Sequence, residues 1–115
     1  MTGRPDMTWL DATLLKIHLG ATDRIGGESA HDWLIQAAKR LGLRGATVTQ
    51  GVLGFGPDGE LHRAALFRFA QNLPVVVELA DTPQAIETFL TEVSPRLPDS
   101  ALLTTQAARL LERQA

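Results

Sequence analysis

Three groups of residues in this chain have the types and spacing to do chemistry. The first is Gly51-Val52-Leu53-Gly54-Phe55-Gly56-Pro57-Asp58-Gly59, with four glycines in nine residues, followed closely by His62-Arg63. Glycine loses more backbone freedom on folding than any other residue, so such a run implies sharp bending or close approach of another group. Backbone N–H groups of Gly54, Phe55 and Gly56 could face an anion as a nest does, or the run could simply form a bulge or hairpin corner. His62 and Arg63 are candidates for contacting a ligand or partner as the loop orders.

The second group is Asp23-Arg24, in a loop ahead of a helix start near Ser29. A helix N-terminus carries partial positive charge and free N–H groups, so Arg24 could pin a phosphate or carboxylate there. The competing structural reading has Asp23 capping a turn and Arg24 pairing locally. The third group is Lys16, His18 and Glu78. Strand alternation puts all three on one face, where they form a polar interface cluster or bind a small ligand. Such a cluster must be internally paired if association buries it. No metal site is expected: the chain has no cysteine, and His31 and His62 bring too few partners. His31 reads as a surface residue.

The elements that must position these residues follow from periodicity. Residues 1–12 are polar, contain Pro5 and read as a flexible extension, and 13–115 read as one domain. Leu15, Ile17 and Leu19 alternate with Lys16 and His18 in a first strand from Thr13. Ala30, Trp33, Leu34, Ala37, Ala38 and Leu41 follow helical spacing, with Ser29 as N-cap and Gly42 as terminator. A second strand runs from about Gly45 to Leu53, and Ala64–Phe69 reads as extending the outgoing arm of the loop. Leu73–Ala80 is a third strand whose continuous apolar run implies burial on both faces. Asp81-Thr82-Pro83 starts a second helix with Ile86, Phe89, Leu90 and Val93 inward, stopped by Pro95 and Pro98. Ala101–Ala108 fits a fourth strand, while Gln106–Arg113 fits a helix equally well.

The order βαβ-βαβ predicts an α+β, ferredoxin-like fold, with a four-stranded antiparallel sheet and both helices on one face. The other face is left open although the third strand is apolar on both sides, so a subunit interface is expected there.

Gly45-Ala46-Thr47-Val48-Thr49, Gly54-Phe55-Gly56 and Leu73-Pro74-Val75-Val76-Val77-Glu78 resemble the core of the PII signalling proteins. With Gly20-x-x-Asp23-Arg24 and His62 they resemble more closely the PII-like domain-of-unknown-function family 190, over roughly Leu14 to Leu111. The resemblance implies a homotrimer with its sheets facing the three-fold axis and adenine nucleotides in the clefts between subunits. It also implies that the loop from Gly54 to Arg63 reports the bound state to a protein partner. A membrane channel or transporter is one such partner, since members of the family are associated with a small fluoride-channel family. The likeness has gaps. One extra residue lies between Thr47 and Gly54. The chain has no tyrosine for nucleotidyl transfer, and Arg96-Leu97-Pro98-Asp99-Ser100 has no lysine where PII proteins carry a phosphate-gripping loop. The Ala108–Gln114 tail resembles that of PII but has glutamate and glutamine in place of phosphate-binding arginines. The expected effector is therefore an AMP- or ADP-type nucleotide or a small anion, with no tightly held cofactor.

Composition bounds the alternatives. Eleven basic against thirteen acidic residues, formal net charge −2, give no footprint for nucleic acid. No segment is apolar enough for a membrane span, no signal-peptide pattern appears, and a cytoplasmic location is expected. No nucleophile–base pair stands out, so the chain reads as non-enzymatic. The alternatives are a small enzyme using His18 or His62 as acid or base near Asp23, and a metal-binding trimer like the CutA group.

Overall fold

The structure, a computed structural model, describes residues 7–63 and 72–113. The proposed arm Ala64–Phe69 and the first six residues lie outside the described residues. The elements in chain order are β1 (Met7–Gly20), β2 (Arg24–Ile25), β3 (Glu28–Ser29), α1 (Ala30–Arg40), β4 (Ala46–Gln50), β5 (Leu53–Phe55), β6 (Leu61–Arg63), β7 (Pro74–Asp81), α2 (Pro83–Val93), a 3₁₀ turn (Ser94–Arg96) and β8 (Leu102–Arg113).

The main sheet has the order β4-β7-β1-β8 and every pairing is antiparallel. This is the ferredoxin-like arrangement expected from the element order. Leu15, Ile17 and Leu19 of β1 and Val75, Val77 and Leu79 of β7 point to the helical side. There they meet Leu34, Ala37 and Ala38 of α1 and Ile86, Phe89 and Val93 of α2, all of them buried. Each large aliphatic or aromatic side chain removed from water in this layer contributes about 1.5–3 kcal/mol. The period of two in the strands and of 3.6 in the helices thus meet in one core.

Three details differ from the sequence reading, and another, the state of the last segment, is one that it leaves open. The first strand begins at Met7, so residues 7–12, read as a flexible extension, are ordered strand paired with β8 from Met7↔Arg113 to Ala12↔Ala108. They run beyond β7, whose pairing with β1 starts at Thr13, and form a two-stranded ribbon on which Arg109 lies over the Trp9 ring at 4.9 Å. Second, β8 is strand throughout its twelve residues. Continuous pairing with β1 satisfies its backbone, and that outweighs the helical spacing of Gln106–Arg113. Third, β7 alternates buried and half-buried residues. The helices cover one face, leaving Val76, Glu78 and Ala80 partly exposed on the other. Fourth, β4 ends at Gln50, short of the expected Leu53, and Leu53–Phe55 pairs instead with β6.

The helix ends are also specific. At α2, Thr82 Oγ1 accepts from the Ala85 amide at 3.2 Å and Pro83 occupies the first turn, as its sequence position requires. At α1, Ser29 stands at the cap, but its hydroxyl donates to Asp32 Oδ2 at 2.7 Å and accepts no backbone amide. Gly42, at φ +75°, reverses the chain after the helix.

Candidate functional site

The glycine-rich run forms the hairpin β5–β6, with Phe55 opposite Leu61 and Gly54 opposite His62. Its turn is closed by the Gly59 amide donating to the Gly56 carbonyl at 2.9 Å, with Pro57 and Asp58 between them and Gly59 at φ +75°. The root of the hairpin rests on β7. The Gly51 amide donates to the Pro74 carbonyl at 2.7 Å, and a Cβ on Gly54 would stand 3.1 Å from Pro74 Cγ. Close approach to Pro74 accounts for Gly51 and Gly54, and turn conformation accounts for Gly59.

Between this hairpin and the end of β1 lies a cleft of about 490 Å³. Gly54, Phe55, Gly56 and His62 line one side, and His18, Gly20 and Asp23 line the other. Leu19, Pro57, Asp58, Asn72, Pro74, Ser100 and Leu102 complete the lining. Phe55 is 73% exposed, so its ring face is available to a ligand or partner. The β1–β2 turn that forms the far wall is stiffened locally. Asp23 Oδ2 accepts from the Gly20 amide at 2.8 Å, and Asn72 Oδ1 accepts from the Thr22 amide at 3.0 Å.

The structure therefore brings together five of the seven ligand-site candidates: Asp23, Gly54, Phe55, Gly56 and His62. Arg24 is not among the cleft-lining residues; its Nη2 donates to the Gly27 carbonyl across the β2–β3 turn. At the start of α1 the Ala30 amide donates to the Asp23 carbonyl at 2.7 Å. Arg63 is exposed in β6, opposite Leu53, and also lies outside the cleft lining.

The polar trio on the open sheet face divides. Lys16 and Glu78 are register partners on β1 and β7, with Nζ 3.5 Å from Oε1 and each side chain 38% exposed. His18, two residues along, faces the cleft. The carboxylate of Asp23 is engaged by the Gly20 amide.

Sequence reasoning missed two clusters. Arg44, in the connection between α1 and β4, donates from Nη1 to Asp81 Oδ1 at 2.8 Å and from Nη2 to Glu112 Oε2 at 2.9 Å. Its backbone amide also donates to Asp81 Oδ2 at 2.8 Å. The sequence alone presents Asp81 only as part of a helix start. The second cluster is Asp58, Glu60 and His62, whose ligand atoms lie within 4.8 Å of one another. Their closeness in sequence, Asp-x-Glu-x-His running out of the Gly56–Gly59 turn into β6, was the available signal.

With the fold in view, comparison with solved structures defines the class. The chain has the fold of PII-like proteins. It superposes with a TM-score of 0.68 on CPII from Thiomonas intermedia K12, a nitrogen regulatory PII-like protein bound to ADP, AMP and bicarbonate; the two are 14% identical and the match covers 90% of this chain and 91% of the other. The apo form of CPII gives 0.62 at 13% identity, covering 92% of this chain and 98% of the other. Sequence then gives the family: the chain belongs to DUF190, described as "Uncharacterized ACR, COG1993", whose model matches residues 12–110. Its curated relatives include a UPF0166 protein of Aquifex aeolicus (strain VF5), 36% identical over 80 residues, 70% of this chain and 76% of that one. Another is UPF0166 protein MJ1524 of Methanocaldococcus jannaschii, 32% identical over 94 residues, 82% of this chain and 86% of that one. Among the described residues no helix is long and apolar enough to cross a membrane.

Proposed function

We propose that the protein is a non-enzymatic regulator that binds an AMP- or ADP-type nucleotide, or a small anion such as bicarbonate, beside the β5–β6 hairpin. The observation that carries this reading is the cleft itself. The backbone of Gly54–Gly56, the exposed Phe55 ring and His62 stand across about 490 Å³ from His18. Phe55 offers a surface on which a purine can stack, and the imidazoles offer hydrogen bonds to polar groups of the ligand. Support of a different kind comes from CPII, a protein of the same fold whose structure holds ADP, AMP and bicarbonate.

The signalling step follows from linkage. A ligand shifts the hairpin only by as much as it prefers one hairpin arrangement over another. The loop 54–63 exposes Phe55 and Leu61, an apolar surface suited to a protein partner, with a membrane channel or transporter as the leading class. The open sheet face carrying Lys16 and Glu78 is the trimer interface in this reading, and residues of a neighbouring subunit complete the cleft.

The test is thermal stability against AMP, ADP, ATP, cyclic nucleotides and bicarbonate. A ligand present at about 100 times its dissociation constant stabilises the native state by about 2.7 kcal/mol. A shift with AMP or ADP that disappears in Gly54→Val supports the reading. A flat response across the panel overturns the ligand site and leaves a partner-binding adaptor.

A further inference from the structure

The cleft poses an electrostatic problem. Its described lining contains four titratable side chains, His18, Asp23, Asp58 and His62, and no lysine or arginine. Among the described residues of one chain, an anion entering it meets two carboxylates and no lysine or arginine. Asp23 is already partnered by the Gly20 amide, but that hydrogen bond does not reverse its sign. Beside the same cleft, Asp58, Glu60 and His62 gather two carboxylates and an imidazole within 4.8 Å.

We propose that Asp58, Glu60 and His62 bind a divalent transition-metal cation, and that this cation supplies the positive charge that holds an anionic ligand in the cleft. The second half of the proposal rests on the ligand-binding reading given above; the metal site does not. Carboxylate oxygens and one imidazole nitrogen are ordinary ligands for Zn²⁺, and the nitrogen donor favours such a metal over Mg²⁺ or Ca²⁺. Three protein ligands leave a coordination position free, as in metal sites that accept an exogenous group. Asp58 and His62 both border the cleft, which puts that position beside the space where the ligand would sit.

The geometry requires a small adjustment. Ligand atoms about 2.1 Å from a tetrahedral metal stand about 3.4 Å apart, closer than the outer separation seen here. Asp58 and Glu60 are exposed and His62 is half-buried, so rotation of side chains can close the difference without moving the core. The backbone is already suitable. The Gly56–Gly59 turn and the Asp58 Oδ1 bond to the Glu60 amide, at 2.9 Å, hold the three residues on one side of the hairpin tip.

The decisive experiment is calorimetric titration of the metal-stripped full chain with Zn²⁺, followed by titration of the stripped and loaded forms with AMP and with bicarbonate. One Zn²⁺ per chain is expected, weakened about tenfold or more by Glu60→Gln and unchanged by His31→Gln. Glu60 is exposed and outside the cleft lining, so Glu60→Gln tests the metal site without altering the ligand wall. Absence of saturable Zn²⁺ binding, or equal affinity in Glu60→Gln, overturns the site. If the site holds, AMP or bicarbonate should bind the loaded form at least about tenfold more tightly than the stripped form. Equal binding to both forms overturns the bridging role while leaving the ligand cleft intact. Zn²⁺ binding with no AMP or bicarbonate binding to either form overturns the cleft reading while leaving the metal site intact.

Discussion

The Arg44 guanidinium closes on the Asp81 carboxylate at 2.8 Å, and the Asp81 side chain is only 7% exposed. That one contact ties the connection before β4 to the last residue of β7, and Glu112 on β8 extends it across the sheet end. Breaking a buried pair from one side leaves an uncompensated charge and typically costs about 3–5 kcal/mol. Here the amides of Arg44 and Thr82 still serve Asp81, and Arg44 itself is partly exposed, so the loss is smaller. Arg44→Ala is expected to cost about 2 kcal/mol, lowering Tm by about 8 °C in a chain of this size. Glu112→Gln, at the exposed arm of the network, should cost about 0.5 kcal/mol or less. Denaturant titration of the two variants separates these values, and equal effects would refute the hierarchy.

Gly54 and Gly56 belong to the same three-residue motif but meet different surroundings. A Cβ at position 54 stands 3.1 Å from Pro74 Cγ, whereas at 56 it meets nothing within 4 Å. Gly54→Val should therefore push the hairpin off β7 at a cost of about 1–2 kcal/mol, while Gly56→Ala stays within about 0.5 kcal/mol of the parent. Hydrogen exchange at the Gly51 amide, bonded to the Pro74 carbonyl, reports the displacement directly. Faster exchange in Gly54→Val alone is the expected result.

Which features could be read from the chain depended on how local their causes were. The helix start at Thr82-Pro83 and the alternation around Ile17 are set by neighbouring residues, and both stand in the structure as expected. The state of Gln106–Arg113 was open because its pattern fits strand and helix alike. Only pairing with Met7–Leu14, about a hundred residues away, decides it. That pairing also makes residues 7–12 strand, where the sequence alone suggests a tail. Arg44 could not be matched to Asp81 from spacing, since 37 residues separate them and only the fold brings them together. The Asp58, Glu60 and His62 alternation was visible, but two-residue spacing signals a shared face only where the chain is extended. The glycine content of the stretch suggested a loop instead.

Phe55 is 73% exposed and, among the described residues, stands outside the core, so its truncation tests function with little structural cost. Phe55→Ala should change stability by less than about 0.5 kcal/mol. Stacking of a base on an aromatic ring is worth about 1–3 kcal/mol, so AMP or ADP affinity should fall by about 5- to 150-fold. Phe55→Trp, which keeps a stacking face, should retain binding. Calorimetry with the three proteins checks this, and equal affinity in Phe55→Ala would remove the ring from the site.

The Lys16–Glu78 pair distinguishes an open sheet from a covered one. On a solvent-exposed face, such a pair contributes about 0–1 kcal/mol and its loss is tolerated. On a face buried between subunits, replacing Lys16 with glutamate sets two carboxylates directly opposite each other as register partners, with no water to screen them. Lys16→Glu is therefore expected to shift the protein from three chain masses to one in light scattering, while its far-UV circular dichroism keeps the strand and helix content of the parent. Lys16→Met, which removes one charge and keeps an aliphatic stem, leaves Glu78 unpaired and should weaken assembly to a lesser degree. A parent protein that is monomeric at every concentration would refute the interface. So would a Lys16→Glu variant that stays trimeric, because the paired positions Lys16 and Glu78 would then lie outside whatever face the subunits share.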